Sequence, residues 1–244
     1  MLILLANPNT SAGITDGMAK AACAAASPGT EIKPVTAGFG AKVIGSRMEM
    51  VIGDYASLDL VAREGAGCDA VIVAAAIDSG LRAVKQMMSC PVLGLTEAAL
   101  HAACLVGGSF GLVVSSGRTG IVMREMVAGY GLSSRLAGVR SVGIDPAALY
   151  AEPEAALDRL ATTALALVEH DGADAVVLIG AVMAGLPPLL QTRVPVPVLE
   201  GVACAVPLAE AMVRIAPAKA TAGSFARPHG REVSGVGDAL AARF

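Results

Sequence analysis

Cys68-Asp69-Ala70-Val71-Ile72-Val73-Ala74-Ala75-Ala76-Ile77-Asp78-Ser79-Gly80-Leu81 runs in step with Ala173-Asp174-Ala175-Val176-Val177-Leu178-Ile179-Gly180-Ala181-Val182-Met183-Ala184-Gly185-Leu186, at a constant shift of 105 residues. Each copy is an apolar run, a small-residue turn and the start of a helix. Each continues to a Pro-initiated strand, Cys90-Pro91-Val92-Leu93 and Val196-Pro197-Val198-Leu199. The opening has a counterpart as well: Leu2 to Gly13 resembles Phe110 to Gly120, which sets Asn9 against Ser116. Strand, turn, helix and second strand recur in one order, the mark of a duplicated unit rather than of two similar Ala/Val-rich strands.

Around this repeat, Leu2–Ala6, Ile32–Thr36, Ala70–Ile77, Val92–Leu95, Phe110–Val114, Val139–Val142, Ala175–Ile179 and Val196–Leu199 read as buried strands. Runs apolar at every residue suit parallel strands covered on both faces. Helix signals lie between them. Asn9, Thr10 and Ser11 can cap a helix from Ala12, Asp54 can cap Tyr55–Glu64, and Asp145-Pro146 opens a helix that continues through Glu154–Glu169. The predicted fold class is α/β: two pseudo-symmetric, doubly wound parallel-sheet lobes with the active-site cleft between them. Lobe 1 is residues 1–97 with 205–244, and lobe 2 is 98–204. Ligands of open parallel sheets bind beyond the carboxyl ends of the strands. Facing lobes therefore set the Ala75 loop on one side of a substrate and the Gly180 loop on the other. That arrangement suits moving a proton on either face of a planar carbon.

Composition narrows the function. Eighteen Lys and Arg against 21 Asp and Glu give a net charge of −3, without the basic face a phosphate-backbone binder needs. Four Phe, three Tyr and no Trp leave no stacking platform for single-stranded nucleic acid. The longest apolar run, Ala70–Ile77, is far short of the roughly twenty residues of a spanning helix. The expectation is thus no nucleic acid and no membrane. Met1 alone precedes the first strand, so no signal peptide is read. Five cysteines without CxxC spacing (Cys23, Cys68, Cys90, Cys104, Cys204) argue against disulfides or zinc and for a cytoplasmic protein, with all five as small buried apolar residues. Charged residues are 16% against a usual ~25%, which predicts a homo-oligomer whose apolar surface is covered by another subunit. No GxGxxG follows the first strand, no GxxxxGK[ST] or HExxH occurs, and no segment is read as a nucleophile elbow. Neither a cofactor nor a metal is expected.

The polar residues near strand ends carry two readings each. Asn7 and Asn9 follow the first strand and either contact substrate or, for Asn9, cap a helix. Asp78 is either a carboxylate base or the N-cap of the helix through Leu81 and Val84. Ser115, Ser116 and Thr119 either bind a carboxylate or ureide oxygen or do turn chemistry. Glu97 and Glu200 begin helices and suit the helix dipole. His101, His170 and His229 are scattered and read as non-catalytic.

Asn7-Pro8-Asn9-Thr10-Ser11, the Ile72–Leu81 turn, Val92-Leu93-Gly94-Leu95-Thr96-Glu97-Ala98 and Pro197-Val198-Leu199-Glu200-Gly201-Val202 resemble the hydantoin and aspartate/glutamate racemase superfamily, above all its hydantoin/allantoin racemase branch. The resemblance spans nearly the whole chain. It implies a pseudo-symmetric two-lobed α/β protein, without cofactor, for a small-molecule substrate: a carboxylate, an amino-acid derivative or a five-membered ureide. It also implies that the loop at Asn7 and Asn9 lies at the substrate. The segment Phe39–Arg47, with Ile44 and Arg47, resembles the family's flexible region over the cleft; Arg47 either pairs with a carboxylate or is a solvated surface residue.

The family's racemases use two cysteines, one per lobe, as opposed acid and base. Here the first falls on Ala75 and the second on Gly180. The actual five cysteines lie elsewhere. Neither a methyl nor a hydrogen carries a proton, so two-thiol racemisation is disfavoured. Asp78 is the available substitute, and backbone amides at Ala75-Ala76 and Gly180-Ala181 form two cradles for an enediolate-like anion. The resulting expectation is a racemase- or isomerase-type enzyme with altered chemistry. Its alternatives are a carbanion-stabilising lyase or decarboxylase on the same scaffold, and a non-catalytic metabolite-binding protein.

Overall fold

The computed structural model describes residues 1–145, 148–149, 152, 154–228 and 230–244. Pro146 and His229, both singled out above, lie outside the described residues. The chain forms two compact units, Met1–Gly94 with Val206–Phe244, and Leu95–Ala205. The first holds β1 (Leu2–Asn7), β2 (Glu31–Thr36), β3 (Ala70–Val73) and β4 (Val92–Gly94), all parallel, in the order β2-β1-β3-β4. The second holds β5 (Phe110–Val114), β6 (Leu136–Ser141), β7 (Val176–Leu178) and β8 (Val198–Glu200), parallel, in the order β6-β5-β7-β8. The α/β class with parallel sheets is as the apolar runs predict.

The repeat extends to single hydrogen bonds. Leu4 pairs with Val71 and Val71 with Val92 in one sheet; Gly111 pairs with Val176 and Val176 with Val198 in the other. The Ala74 N–H donates to the Ala6 carbonyl (2.8 Å), and the Ile179 N–H to that of Val113 (2.9 Å). Beyond the strand, the Asp78 N–H closes a turn onto the Ala75 carbonyl (3.1 Å), as the Met183 N–H does onto that of Gly180 (2.9 Å). Equal spacing in the chain has become equal register in space.

Three strands differ from the sequence reading by two residues or more; β6, expected at Val139–Val142, runs from Leu136 to Ser141. Ala70–Ile77 shortens to Ala70–Val73, because its partner β4 ends at Gly94, opposite Val73. Val196–Leu199 moves forward to Val198–Glu200. There the Gln191 side chain takes the Val198 N–H (3.0 Å) and donates to the Val196 carbonyl (3.0 Å), holding residue 196 outside the ladder. Burial on both faces holds for β1, β3, β5 and β7, whereas β2 is a half-exposed edge.

The helices among the described residues, labelled in chain order, are α1 (Ala12–Ala25), α2 (Arg47–Glu64), α3 (Leu81–Met87), α4 (Leu95–Val106), α5 (Gly117–Gly129), α6 (Leu157–Glu169), α7 (Pro187–Leu190), α8 (Gly201–Ile215) and α9 (Asp238–Ala241). Asp54 does not start α2. Ser46 does, through a capping box with Glu49, whose carboxylate takes the Ser46 N–H (2.7 Å). Asp54 lies inside that helix, and its carboxylate accepts the Gly80 N–H (2.7 Å). Of the helix expected from residue 145, residues 148 and 149 are helical, with the Leu149 N–H donating to the Asp145 carbonyl (3.0 Å), and a 3-10 turn at Glu154–Ala156 leads into α6. Ile3, Leu4, Leu5 and Ile72 are fully buried in the first unit, and Phe110, Leu112, Leu149 and Leu160 in the second.

Residues after α8 lie against the first unit. Gln86 Nε2 donates to the carbonyls of Ser224 (3.1 Å) and Ala226 (2.9 Å), and Arg243 Nη2 to that of Ala62 (3.1 Å). Earlier, the buried Glu210 of α8 accepts the Ser27 N–H (2.8 Å), the Ser27 hydroxyl (2.6 Å) and the Thr30 hydroxyl (2.6 Å).

The expectation of five buried cysteines needs correction. Cys68 and Cys204 are buried, Cys90 and Cys104 are half-buried, and Cys23 is exposed. The pattern of α1 turns Ile14, Met18 and Ala22 inward and leaves position 23 on the outer side.

Candidate functional site

In parallel sheets all carboxyl ends lie along one edge, and the polar residues singled out above gather along that edge in each unit. In the first unit, Asn7 ends β1. Its Nδ2 donates to the Thr15 hydroxyl (2.8 Å) and to Asn9 Oδ1 (3.0 Å), while its Oδ1 accepts the Asn9 N–H (3.1 Å). Thr15 in turn meets the Thr36 hydroxyl at 2.6 Å. The fully buried Asn7 amide is thus engaged in shaping its own loop. Asn9 Oδ1 also accepts the Ser11 N–H (2.9 Å), so it bridges the turn into α1, whose N-cap Ser11 makes no side-chain cap bond. Asn9 Nδ2 makes no hydrogen bond among the described residues.

Segment 37–46 joins this loop. The Thr10 N–H donates to the Ala41 carbonyl (3.0 Å), and Ile44 packs so closely on Gly53 of α2 that a Cβ there would stand 2.6 Å from its Cδ1. Arg47 is the first residue of α2. The Ala75 turn follows β3. Ala75 is 5% exposed, and its N–H makes no hydrogen bond among the described residues. Asp78 is not the cap of α3; Gly80 holds that place, in the left-handed region at φ 72°. Asp78 itself has φ 47°, disfavoured for a residue with a Cβ, and is 6% exposed.

In the second unit, Ser116 caps α5. Its hydroxyl accepts the Thr119 N–H (3.3 Å) and meets the Thr119 hydroxyl at 3.0 Å. The turn reading accounts for this pair. Ser115 is buried, and its hydroxyl makes no hydrogen bond among the described residues. Gly180 has φ 140° and ψ 136°, a conformation essentially confined to glycine. The Gly180 and Ala181 N–H groups make no hydrogen bond among the described residues.

Glu200 ends β8 and is 2% exposed. Its carboxylate accepts the N–H groups of Val202 (2.6 Å) and Ala203 (2.7 Å) at the start of α8. Burial raises its pKa, with the N–H groups of Val202, Ala203 and Gly185 opposing. Cys204, one turn on, is pushed up to about 12 by burial and by the Glu200 charge, so it is a neutral thiol. Burial likewise raises Asp54, with the Gly80 N–H opposing.

The remaining candidates lie elsewhere. Cys68 and Cys90 stand at the amino ends of β3 and β4, and His170 ends α6 ahead of β7. His101 is exposed on α4, with Nδ1 2.7 Å from the Glu97 carbonyl. No group of three His, Cys, Asp or Glu among the described residues could hold a metal ion, and no described helix is long and apolar enough to cross a membrane. Sequence reasoning missed the Asp54–Gly80 contact and the Glu200 bonds to the Val202 and Ala203 N–H groups. A glutamate ending a strand just before a helix was the visible signal for the second; the first had none.

The chain matches the family model Asp/Glu/Hydantoin racemase over residues 3–209. It is 31% identical to a hydantoin racemase of Paenarthrobacter aurescens over 230 residues, 93% of this chain and 98% of that protein. Among solved structures it resembles the allantoin racemase of Pseudomonas fluorescens, with TM-score 0.91 and 34% identity over 96% of this chain and all of that one. It also resembles the allantoin racemase of Klebsiella pneumoniae, with TM-score 0.93 and 31% identity over 98% of each chain.

Proposed function

The chain belongs to the Asp/Glu/hydantoin racemase family, and from that premise we propose that it acts on the acidic carbon of a small carboxylate, amino-acid derivative or cyclic ureide. End-to-end similarity to hydantoin and allantoin racemases carries this reading. The reaction is of isomerase type, needs no cofactor and does not run through two thiols. The last point rests on the motif resemblance, in which Ala75 and Gly180 take the places of the family's cysteines.

A stereocentre next to a carbonyl is labile only if the negative charge left by its proton is held. Each unit offers neutral donors suited to such a charge at its own strand ends. In the first unit they are Asn9 Nδ2 and the Ala75 N–H; in the second, the Ser115 hydroxyl and the Gly180 and Ala181 N–H groups. Each is a neutral donor suited to a carboxylate or ureide oxygen, and removing one such donor from an anion-stabilising set typically costs ~10²–10³ in rate.

The deciding experiment incubates the protein with hydantoins, allantoin and amino acids in heavy water and follows the α-proton by NMR and the optical rotation together. Proton exchange with inversion is the expected outcome for at least one substrate. Exchange or decarboxylation without inversion assigns a lyase on the same scaffold. Tight binding with neither assigns a metabolite-binding protein. Absence of all three overturns the reading.

A further inference from the structure

Gly94 and Glu200 are the same position in the two repeats: Val73 pairs with Gly94, and Leu178 with Glu200. Asp78 and Met183 are also one position, since each donates its N–H to the carbonyl that opens its turn. Across these two positions the chemistry is exchanged. The first unit has a carboxylate on the turn and no side chain on the strand; the second has a thioether on the turn and a carboxylate on the strand. Asp78 fills the room that a Gly94 side chain would need. Its carboxylate carbon and both oxygens lie within 2.8 Å of where a Cβ would stand. Glu200 stands on the strand instead, 2% exposed, its carboxylate held by the Val202 and Ala203 N–H groups and within the influence of the Gly185 N–H of the turn.

The same crevice, between the carboxyl ends of the third and fourth strands, therefore receives one buried carboxylate in each unit, from opposite walls. Burying a carboxylate is unfavourable unless hydrogen bonds offset the lost hydration, so each of these groups is anchored to polar groups around it. Finding one in both places, on non-equivalent residues, ties the role to the charged group rather than to the residue. The units differ in one detail: in the first, the Gly80 N–H of the turn is bonded by Asp54 of α2 (2.7 Å).

We propose that Asp78 and Glu200 are equivalent positioning residues, each holding a carboxylate between the last two strand ends of its own sheet and so fixing the turn that carries Ala75 or Gly180. The proposal rests on the functional reading above only in giving those turns a substrate to face.

A transplant tests it in the full chain. Asp78→Met and Gly94→Glu each give the first unit half of the second unit's arrangement, and each lowers Tm. Combined, they recreate that arrangement and recover most of the loss. A double variant no better than the worse single variant overturns the equivalence. Should Gly94→Glu fail to fold, amide hydrogen exchange on Asp78→Asn and Glu200→Gln decides. Asp78→Asn speeds exchange about tenfold at 75–80 and not at 180–185, and Glu200→Gln does the reverse. Uniform or absent acceleration overturns the positioning role. In the heavy-water assay, Asp78→Asn lowers the rate at saturating substrate, and the double variant restores it relative to Asp78→Met. That last readout fails if the proposed activity is wrong, whereas Tm and amide exchange do not depend on it.

Discussion

The two repeats agree in their backbones and disagree in the side chains at their carboxyl edges. One unit lines that edge with Asn7, Asn9, Thr15, Thr36 and a strained Asp78; the other has Val114, Ser115, Ser116 and a glycine-only turn at 180. Register is set by hydrogen bonds that any residue but proline can donate, so it outlasts exchange of side chains. Polar side chains at strand ends are under no such constraint. The comparison teaches that, in a duplicated fold, shared architecture does not imply shared chemistry.

The largest effect is expected in the cores. Ile3 and Phe110 are equivalent and both fully buried. Phe110→Ala should destabilise by about 3–5 kcal/mol and Ile3→Val by only about 0.5–1.5 kcal/mol in urea unfolding. Equal losses would mean that the two cores differ in packing more than their topology implies. Next comes the pair of turns. Gly180→Cys forces a side chain into the backbone at φ 140° and should lose about 1–3 kcal/mol, whereas Ala75→Cys stays on an ordinary backbone and should be nearly neutral. If the double variant gains no racemase activity on any hydantoin or amino acid, the placement of the two family thiols at 75 and 180 is wrong.

Two buried glutamates should give opposite pH slopes. Burial pushes Glu210 up, but the Ser27 and Thr30 hydroxyls, the Ser27 N–H and Arg214 prevail and hold it below its ordinary value of 4.5. Its contribution is therefore full above that value and lost as pH falls through the lower folded one. Glu200 is raised by burial, so the folded state binds its proton more tightly, and stability from this group falls as pH climbs from 4.5 through the folded value. Thermal melts across the acid range should show Glu210→Gln removing the acid-side loss and Glu200→Gln flattening the decline above it. Parallel slopes for the two variants would contradict this. The smallest effect is on the edge strands. Lys33–Glu64 at 2.9 Å and Arg140–Asp171 at 2.6 Å are partly exposed ion pairs, and Lys33→Met should change Tm little at physiological salt.

The duplication, the strand list and the family resemblance were all legible in the chain, and the gathering of Asn9, Ala75, Ser115 and Gly180 at strand ends followed from them. Asp54 and Asp78 were not. Both precede helical stretches and carry the right side chain for a cap, so local reasoning gives both the same task. In the fold, Asp54 lies mid-helix and serves a glycine 26 residues on, while Asp78 lies against Gly94. Glu210 likewise showed nothing of its bonds to Ser27 and Thr30, which are 183 and 180 residues away.

By itself the sequence determined the parallel α/β sheets and their doubling, because apolar runs and a constant shift are properties along the chain. Only the tertiary structure decided where the carboxylates go. A buried charged group takes its partners from whatever donors packing brings within reach, and for Glu210 those are 180 and 183 residues away.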